Sequence, residues 1–443
     1  MDLQFVPYHP TGAEDMGIFN TSFQLFNKFL KDFKPLFSVK QFYVFRLAIY
    51  AFFKDYKRNS LWAMAKSANL DYQRFQYFFS ESNWSFDQVN DQRLKLIESQ
   101  RTTASTPDGA LVIDDTSVPK PYAHHTQGAR YQYCGVLKRE EVCNVSVFSA
   151  FSSKSKAFPI NFKFYRPESE FPHLRKSDPD FKSKLELAKD LIVDSCSKGI
   201  RFKTILMDSW YCAADLIQFI DDRKLHFISE VKSDRLFSLE HPLTKKKTSM
   251  RADELVKLVQ SHLATRAKFL HFKDAHGQDR SLLSYTFQAK VRDCSAPLKV
   301  LILLGGYSKD DDKSFHVLIT NDLSLSAKDI FKLYRLRWGI ERLFQEFKDT
   351  FNFDQYQVRH KEQISRYWTL SLLAWTLTYW IKQNAYLSKI LASRPSSFNE
   401  YKTALNSILL YQSSCTLSKN SSFADSYFNI KSARLKRMLF NAA

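Results

Sequence analysis

The pattern of apolar residues changes near Ala110, and this change constrains the fold more than any other feature of the sequence. Before it, apolar residues recur every three or four positions, as in VKQFYVFRLAIYAFFKDY, which predicts amphipathic helices. After it come short runs rich in Val, Ile and Phe, namely ALVID, VCNVSVFSAF and FPINFKFY, which predict strands. We therefore expect an all-helical N-terminal domain followed by a sheet.

Two short helices are predicted within the segment NSLWAMAKSANLDYQRFQYFF. Ser60 is expected to cap the first helix and Asp71 the second, with a turn near Asn69. The chain carries 65 basic and 46 acidic residues, a net charge of +19, which suggests a polyanionic partner such as nucleic acid. The two helices are compatible with a DNA-binding helix-turn-helix that uses Arg74, and equally with a helical hairpin that binds no DNA.

The order of the predicted elements beyond Ala110 indicates one class of α/β sheet. The three strands are followed by the helix FKSKLELAKDLIVDSCSKG, the strand RFKTILMD, the helix AADLIQFIDD and the strand LHFISEV. This is the element order of a ribonuclease-H-like sheet, in which three antiparallel strands are extended by parallel ones. Between Lys232 and Asn321 a helix and further strand candidates follow, which predict a β-rich insertion rather than more of the parallel sheet.

Five segments follow from these patterns. We predict a helical DNA-binding domain at 1–105, the first part of the ribonuclease-H-like core at 106–231, the β-rich insertion at 232–322, the remaining helices of the core at 323–385 and a basic C-terminal region at 386–443. The six cysteines are widely spread without a CxxC pair, which favours free thiols in a reducing cytoplasm. Neither a signal peptide nor an apolar run of the ~20 residues that a membrane span needs is visible, so we expect a soluble intracellular protein with no membrane partner.

Two aspartates follow apolar strands of the predicted core. Asp114 and Asp208 both stand at the ends of such strands, where the loops of an open sheet leave a crevice. A single aspartate at a strand end is commonly a turn or cap residue. Two of them beside a glutamate from a later helix would repel one another and favour hard cations such as Mg²⁺ or Mn²⁺. A pair of such ions about 4 Å apart promotes phosphodiester cleavage and transfer.

The segment YRLRWGIERLFQEFK, residues 334–348, supplies that glutamate. In one continuous helix turning about 100° per residue, Glu341 lies within roughly 40° of three residues, namely Tyr334, Arg337 and Lys348. The leucines, isoleucine and phenylalanines of the segment form a separate arc that packs on the sheet. We therefore expect Glu341 to face out of the core beside two cations and a phenol. A solvated ion-pair face is the alternative explanation of these charges.

These residues resemble a known family. The spacing Tyr-x2-Arg-x3-Glu-x6-Lys is the motif of a large branch of DDE transposases from prokaryotic insertion sequences, and this chain matches all four residues and all three spacings. VIDDTSVPK and ILMDSWY look like that family's first and second aspartate blocks. QYCGVLKREEVCNVSV is similar to a stretch that one subgroup carries between them. The resemblance runs from about Ala110 to His360.

The resemblance implies metal-dependent cutting and joining of DNA. It makes Asp114, Asp208 and Glu341 the catalytic residues and the ligands of two Mg²⁺ ions, with Mn²⁺ as a substitute. Because the sequence DDTS contains two overlapping Asp-x-Thr/Ser frames, Asp115 is the alternative to Asp114, which the strand geometry favours.

The same resemblance implies contacts to DNA and the partners of the reaction. Tyr334, Arg337 and Lys348 would contact backbone phosphates near the cut. Lys232 and Arg235 follow the last core strand, where relatives often place a phosphate-binding arginine. The expected partners are the inverted-repeat ends of the element and target DNA, and the expected assembly is a homodimer in a paired-end complex in the prokaryotic cytoplasm, associated with the nucleoid. A DNA-binding regulator that retains the fold and a structure-specific nuclease are the alternatives.

Overall fold

The computed structural model describes residues 24–54, 60–68, 70–123, 125–171, 173, 175–274, 277–291, 294, 296–306, 314–384 and 395–418. The chain divides into two compact units. The helical unit consists of Met1–Ala104 and Gln345–Ala443, and the sheet unit of Ser105–Phe344. Much of the predicted basic C-terminal region lies outside the described residues, and the five-segment division stays a prediction.

The α-helices of the described residues are α1 (Gln24–Leu30), α2 (Val39–Ala51), α3 (Leu61–Ser67), α4 (Tyr72–Ser80), α5 (Phe86–Glu98), α6 (Lys184–Ser197), α7 (Ala214–Asp222), α8 (Ala252–Leu258), α9 (Ala327–Tyr334), α10 (Trp338–Asp349), α11 (Lys361–Gln383) and α12 (Phe398–Ser418). Short 3-10 turns lie at Lys31–Leu36, Glu168–Glu170, Arg175–Ser177, Ala264–Arg266 and Arg335–Arg337, and one π-helical turn at Val259–Leu263.

The strands are β1 (Ala110–Pro119), β2 (Arg130–Cys134), β3 (Arg139–Ser152), β4 (Ala157–Tyr165), β5 (Thr204–Met207), β6 (Phe227–Glu230), β7 (Leu236–Glu240), β8 (Lys247–Arg251), β9 (Lys268–Lys273), β10 (Asp279–Val291), β11 (Leu298–Leu304) and β12 (Phe315–Thr320).

The N-terminal helices begin where their capping residues predict. The Ser60 hydroxyl accepts the backbone N–H of Ala63 at 3.1 Å, and the Asp71 carboxylate accepts that of Arg74, also at 3.1 Å. Each contact satisfies a backbone donor that the first turn of a helix leaves free. Both predicted caps are confirmed. The predicted turn at Asn69 lies outside the described residues.

Helix α11 is the buried centre of the helical unit. It contains the apolar run YWTLSLLAWTLTYW, and both Trp368 and Trp375 are at most 1% exposed. Within the described part of the chain, no helix combines the length and the apolar composition that a membrane crossing requires. Buried arginines of this unit include Arg93, which donates to Asn90 at 2.7 Å, and Arg366, which donates to a group of backbone carbonyls.

The described residues of the sheet unit form twelve strands in the order β2-β3-β1-β5-β6-β12-β11-β10-β7-β8, with β4 paired to β3 and β9 to β10. Strand β3 is antiparallel to β1 and β4, whereas β1, β5 and β6 run parallel. Three antiparallel strands extended by two parallel ones confirm the predicted ribonuclease-H-like core. The insertion is β-rich as expected. Its strand β12 pairs antiparallel with β6, so the insertion continues the core sheet.

Strand β1 differs from its prediction. The run ALVID was expected to end at Asp114, but β1 continues to Pro119, which pairs with Cys143 of β3. The polar residues of DDTS hide this continuation from a search for apolar runs. The reason for it is the length of β3, whose 14 residues keep offering backbone partners beyond Asp114. Asp114 is therefore a mid-strand residue, and only its neighbour β5 ends beside it.

Candidate active site

Asp114 and Asp208 are neighbours in the sheet unit because of the register between two parallel strands. Ile113 of β1 pairs with Met207 of β5. Asp114 directly follows Ile113, and Asp208 directly follows Met207. The Asp208 carboxylate accepts the backbone N–H groups of Trp210 at 2.9 Å and Tyr211 at 3.2 Å, which fixes its position. Burial, together with the nearby Asp208, raises the pKa of Asp114 to about 8. Burial raises the pKa of Asp208 as well.

The glutamate reaches this pair through an arginine. One Arg337 Nη donates to Asp114 Oδ2 at 3.3 Å, and the other donates to Glu341 Oε1 at 2.7 Å. Burial alone would lower the pKa of Arg337, but Tyr334 and the two carboxylates hold it above its ordinary value. The Glu341 side chain is 52% exposed, whereas that of Asp114 is 17% exposed. Three elements distant in sequence thus bring Asp114, Asp208 and Glu341 around a single guanidinium group.

Asp115 belongs to a different set of contacts. Successive side chains of a strand point to opposite faces, so Asp115 faces away from Asp114. Its carboxylate pairs with Lys184 Nζ of α6 at 2.7 Å and accepts the Tyr211 hydroxyl at 3.3 Å. The contacts with Arg337 therefore distinguish Asp114 from Asp115.

The predicted position of Tyr334 is wrong. The motif was treated as one continuous helix, but α9 ends at Tyr334 and a 3-10 turn at Arg335–Arg337 precedes α10. The Ser152 hydroxyl of β3 donates to the Leu336 carbonyl at 2.7 Å, a carbonyl that a continuous α-helix would keep for its own ladder. Tyr334 is consequently 4% exposed, and its ring centroid lies 5.8 Å from the Arg337 guanidinium carbon. It packs beside Arg337 instead of facing outward.

Gly339, at the start of α10, makes a close approach between this helix and β3. A Cβ atom at that position would lie 2.2 Å from Ser152 Oγ, well inside any normal contact. The glycine therefore lets the helix that carries Glu341 lie against the strand next to Asp114.

The remaining predicted DNA contacts are distributed over both units. Arg74 is exposed on α4 of the helical unit, and Lys232 is exposed in the sheet unit. The Arg235 guanidinium donates to the Cys212 carbonyl, in the segment that follows Asp208. Lys348 is half-buried near the end of α10, in the portion of that helix that belongs to the helical unit.

Two residues beside the carboxylates were missed by sequence reasoning. Lys184 begins α6 and pairs with Asp115, and the fully buried Tyr211 donates to the same carboxylate. Burial raises the pKa of Tyr211 well above its ordinary value, so its hydroxyl keeps its proton. Tyr211 is the last residue of the quoted block ILMDSWY, which could have drawn attention to it. Lys184 lies in an ordinary amphipathic helix, so nothing in the sequence marks it as a residue of the site.

The donor set fits a divalent cation by its chemistry. Among the described residues, no group of three or more His, Cys, Asp or Glu side chains has the geometry of a metal site. The arrangement instead gathers Asp114, Asp208 and Glu341 around one positive charge, and burial together with Asp208 raises the pKa of Asp114 to about 8. Such a cluster is short of positive charge, and hard oxygen ligands favour Mg²⁺ or Mn²⁺.

Comparison with known proteins agrees with the arrangement of the three carboxylates. Residues 33–265 match a family model described as DDE superfamily endonuclease, and residues 173–377 match one described as transposase DDE domain. Over 208 residues the chain is 28% identical to a curated protein of Microchaete diplosiphon named as the probable transposase for insertion sequence element IS701. That match covers 46% of this chain and 52% of the relative, so the chain spans about half the length of this curated relative.

Proposed function

Since the chain belongs to the DDE superfamily of endonucleases, we propose that it is a DNA transposase that cuts the ends of an insertion sequence and joins them to target DNA. One observation carries the proposal: Arg337 holds Asp114 and Glu341 together beside Asp208. A solvated ion-pair face would not need an arginine that joins a helix to a mid-strand aspartate. The Tyr-Arg-Glu-Lys spacing places the chain, by this proposal, in the branch named for that motif.

The proposed catalytic residues are Asp114, Asp208 and Glu341, which would hold two Mg²⁺ ions, with Mn²⁺ able to replace them. When bound, these ions supply Lewis acidity to a water or 3′-hydroxyl nucleophile and to the leaving oxygen. Arg337 presents a planar fork that suits a phosphate, so it would orient the scissile phosphodiester after leaving its bonds to Asp114 and Glu341. Hydrolysis frees a 3′-hydroxyl at the element end. In-line attack by that hydroxyl on a phosphodiester of the target strand forms the new ester bond and releases a 3′-hydroxyl of the target strand.

The supporting residues have different tasks in this proposal. Tyr334 packs against Arg337 and positions it, which replaces the direct phosphate contact expected from the sequence. Lys348 and Lys232 neutralise phosphate charge along the bound DNA. Arg235 braces the segment after Asp208 through the Cys212 carbonyl and reaches phosphate only after leaving that contact.

The helical unit is proposed to recognise the element ends. Helices α3 and α4 flank the predicted turn, and the outer face of α4 presents Gln73, Arg74 and Tyr77, all exposed. Arginine and glutamine are the residue types that hydrogen-bond to guanine and adenine in the major groove. This composition supports the helix-turn-helix over a hairpin without DNA.

We propose that the functional assembly is a homodimer on paired inverted-repeat ends, which works in the prokaryotic cytoplasm in contact with the nucleoid. The net charge of +19 supports binding to DNA without sequence preference as well, which would serve capture of a target.

The experiment that tests the function incubates the protein with DNA ends from the flanks of its coding region in the presence of Mg²⁺, and resolves the products on a gel. Cut ends that become joined to a second duplex are the expected products. Cutting without joining would make the protein a nuclease, and binding without cutting would make it a regulator. Either result would refute transposition.

Matched variants assign the carboxylates. Glu341→Gln is expected to keep end binding and lose nicking, whereas Asp349→Asn, an exposed carboxylate on the same helix, keeps both. Asp114→Asn is expected to abolish nicking, and Asp115→Asn to leave a measurable rate. If Glu341→Gln cuts at the normal rate, or if Asp115→Asn is the inactive member of its pair, the proposed triad is wrong.

A further inference from the structure

The hairpin of β7 and β8, named the arm below, lies at one end of the strand order of the sheet unit. The two strands pair from Leu236 with Arg251 to Glu240 with Lys247, and β8 is the last strand in the order of the sheet. On its other side β7 pairs with β10 only through Phe237 and Ser238. Beyond Ser238 the two strands therefore pair only with each other, as far as the described residues show.

The tip of this arm, residues 241–246, is an ordered loop. His241 Nδ1 accepts the backbone N–H groups of Leu243 and Thr244, each at 3.2 Å. The backbone of His241 also exchanges two hydrogen bonds with the returning strand, to Lys246 and from Lys245, both at 2.9 Å. These bonds hold Leu243 at the end of the arm, where it is 42% exposed.

Positive charge is concentrated beside that leucine. Lys245, Lys246 and Lys247 are consecutive and all exposed. Within the part of the chain that the structure describes, the nearest carboxylate contact of these lysines is Lys245 Nζ to Glu240 Oε1, at 3.9 Å and largely in solvent. A contact of this kind contributes little, so the lysines remain available to an anion.

We propose that this arm enters the minor groove of duplex DNA, with Leu243 as an apolar wedge between base pairs and the three lysines on the flanking phosphates. The inference rests on the proposed function only in taking DNA as the partner. Leu243 has no polar side-chain atom with which to read base edges, whereas apolar wedges flanked by basic residues unstack a base step and bend the duplex. The phosphate contacts compensate for the cost of the bend.

The test measures bending by energy transfer between dyes at the two ends of a mixed-sequence duplex of about 40 base pairs. EDTA is present, so no strand is cut. The wild-type protein is expected to shorten the distance between the ends, and Leu243→Ala to lose most of that shortening while its affinity falls less than about threefold. Leu236→Ala is the matched control, since Leu236 is 43% exposed at the base of the same arm. It should bend DNA as the wild type does.

The phosphate contacts are tested by salt dependence. Lys246→Gln is expected to lower the slope of log affinity against log salt concentration by about 0.9, the value for one phosphate contact. Lys224→Gln, which removes one exposed charge from a loop elsewhere in the sheet unit, should leave the slope unchanged. Equal slopes for the two variants would remove the lysines from the inference.

The outcomes separate the arm from the catalytic proposal. Wild-type bending by Leu243→Ala would overturn the wedge even if the protein cuts its ends as proposed. Bending that depends on Leu243 in a protein that never cuts DNA would leave the arm intact and refute the transposase. If Leu243→Ala instead changes the oligomeric state in size-exclusion chromatography without changing bending, the tip is a contact between copies of the chain and the inference is wrong.

Discussion

Replacing Arg366 is expected to destabilise the helical unit by a large and measurable amount. Its two terminal nitrogens donate to four backbone carbonyls, those of Phe79 at 3.0 Å, Ser80 at 3.2 Å, Ser82 at 2.8 Å and Trp84 at 3.0 Å. The first two of these carbonyls terminate α4, the helix proposed to contact DNA. One buried guanidinium therefore satisfies the end of that helix and the segment that leaves it.

The magnitude follows from the bonds that are lost. A hydrogen bond to a charged group contributes about 1.5–3 kcal/mol, and a buried carbonyl left without a donor costs about 1–3 kcal/mol. The four bonds share one side chain and do not add, so we expect a loss of about 4 kcal/mol for Arg366→Met. Arg366→Lys should lose about 3 kcal/mol, since a single ammonium group cannot reproduce the planar fork. Either change removes a large part of a typical unfolding free energy of about 5–15 kcal/mol.

The assay is urea unfolding followed by tryptophan fluorescence, together with binding of the DNA ends. The control is Arg359→Met, an exposed arginine of the same unit, which should stay within about 0.5 kcal/mol of the wild type. End binding should weaken in the Arg366 variants because α4 loses its anchor. A loss below about 1 kcal/mol for Arg366→Met would refute the reasoning, since water would then serve the four carbonyls as well as the arginine does.

Two further perturbations test the sheet unit. Gly339→Ala places a Cβ atom 2.2 Å from Ser152 Oγ, so α10 must move. We expect the free energy of unfolding, measured by thermal unfolding, to fall by about 2 kcal/mol and the nicking rate to fall steeply. Unchanged nicking would show that the close approach is dispensable. In EDTA, Asp114→Asn should stabilise the protein at pH 8 and have little effect at pH 4. Folding raises the pKa of Asp114 from 3.8 to about 8, so the folded state favours the protonated acid, and stability falls as the pH rises between these values. Asparagine carries no charge at either pH, so the variant avoids this loss of stability. Equal melting temperatures of the variant and the wild type at pH 8 would contradict a buried Asp114 carboxylate whose charge is poorly compensated.

Much of the fold follows from local patterns. The helix caps at Ser60 and Asp71 and the strand order of the core agree with expectations drawn from periodicity and capping chemistry. These features are predictable because the spacing of apolar side chains depends on the local backbone, with a period of 3.6 in helices and 2 in strands. The proximity of Asp114 and Asp208 belongs to the same class, since both follow the apolar runs of neighbouring parallel strands.

Contacts between distant segments decided the rest. The Ser152 hydroxyl of β3 donates to the Leu336 carbonyl within the 3-10 turn. Tyr334 is buried just before that turn, and Arg337 at its end donates to Asp114. Ser152 lies outside residues 334–348, so no pattern within that segment could predict this contact. Likewise, the distinction between Asp114 and Asp115 depends on which elements cover each face of β1.

By itself, then, the sequence determined the kinds of elements, their order and the carboxylates available for chemistry, because these depend on neighbours along the chain. Only the tertiary structure determined the turn within the motif, the partner of each aspartate and the pairing of the strands in the β7–β8 arm. Those features depend on hydrogen bonds and packing between segments far apart in sequence, and such bonds outweigh local preferences that are worth only a fraction of a kcal/mol per residue.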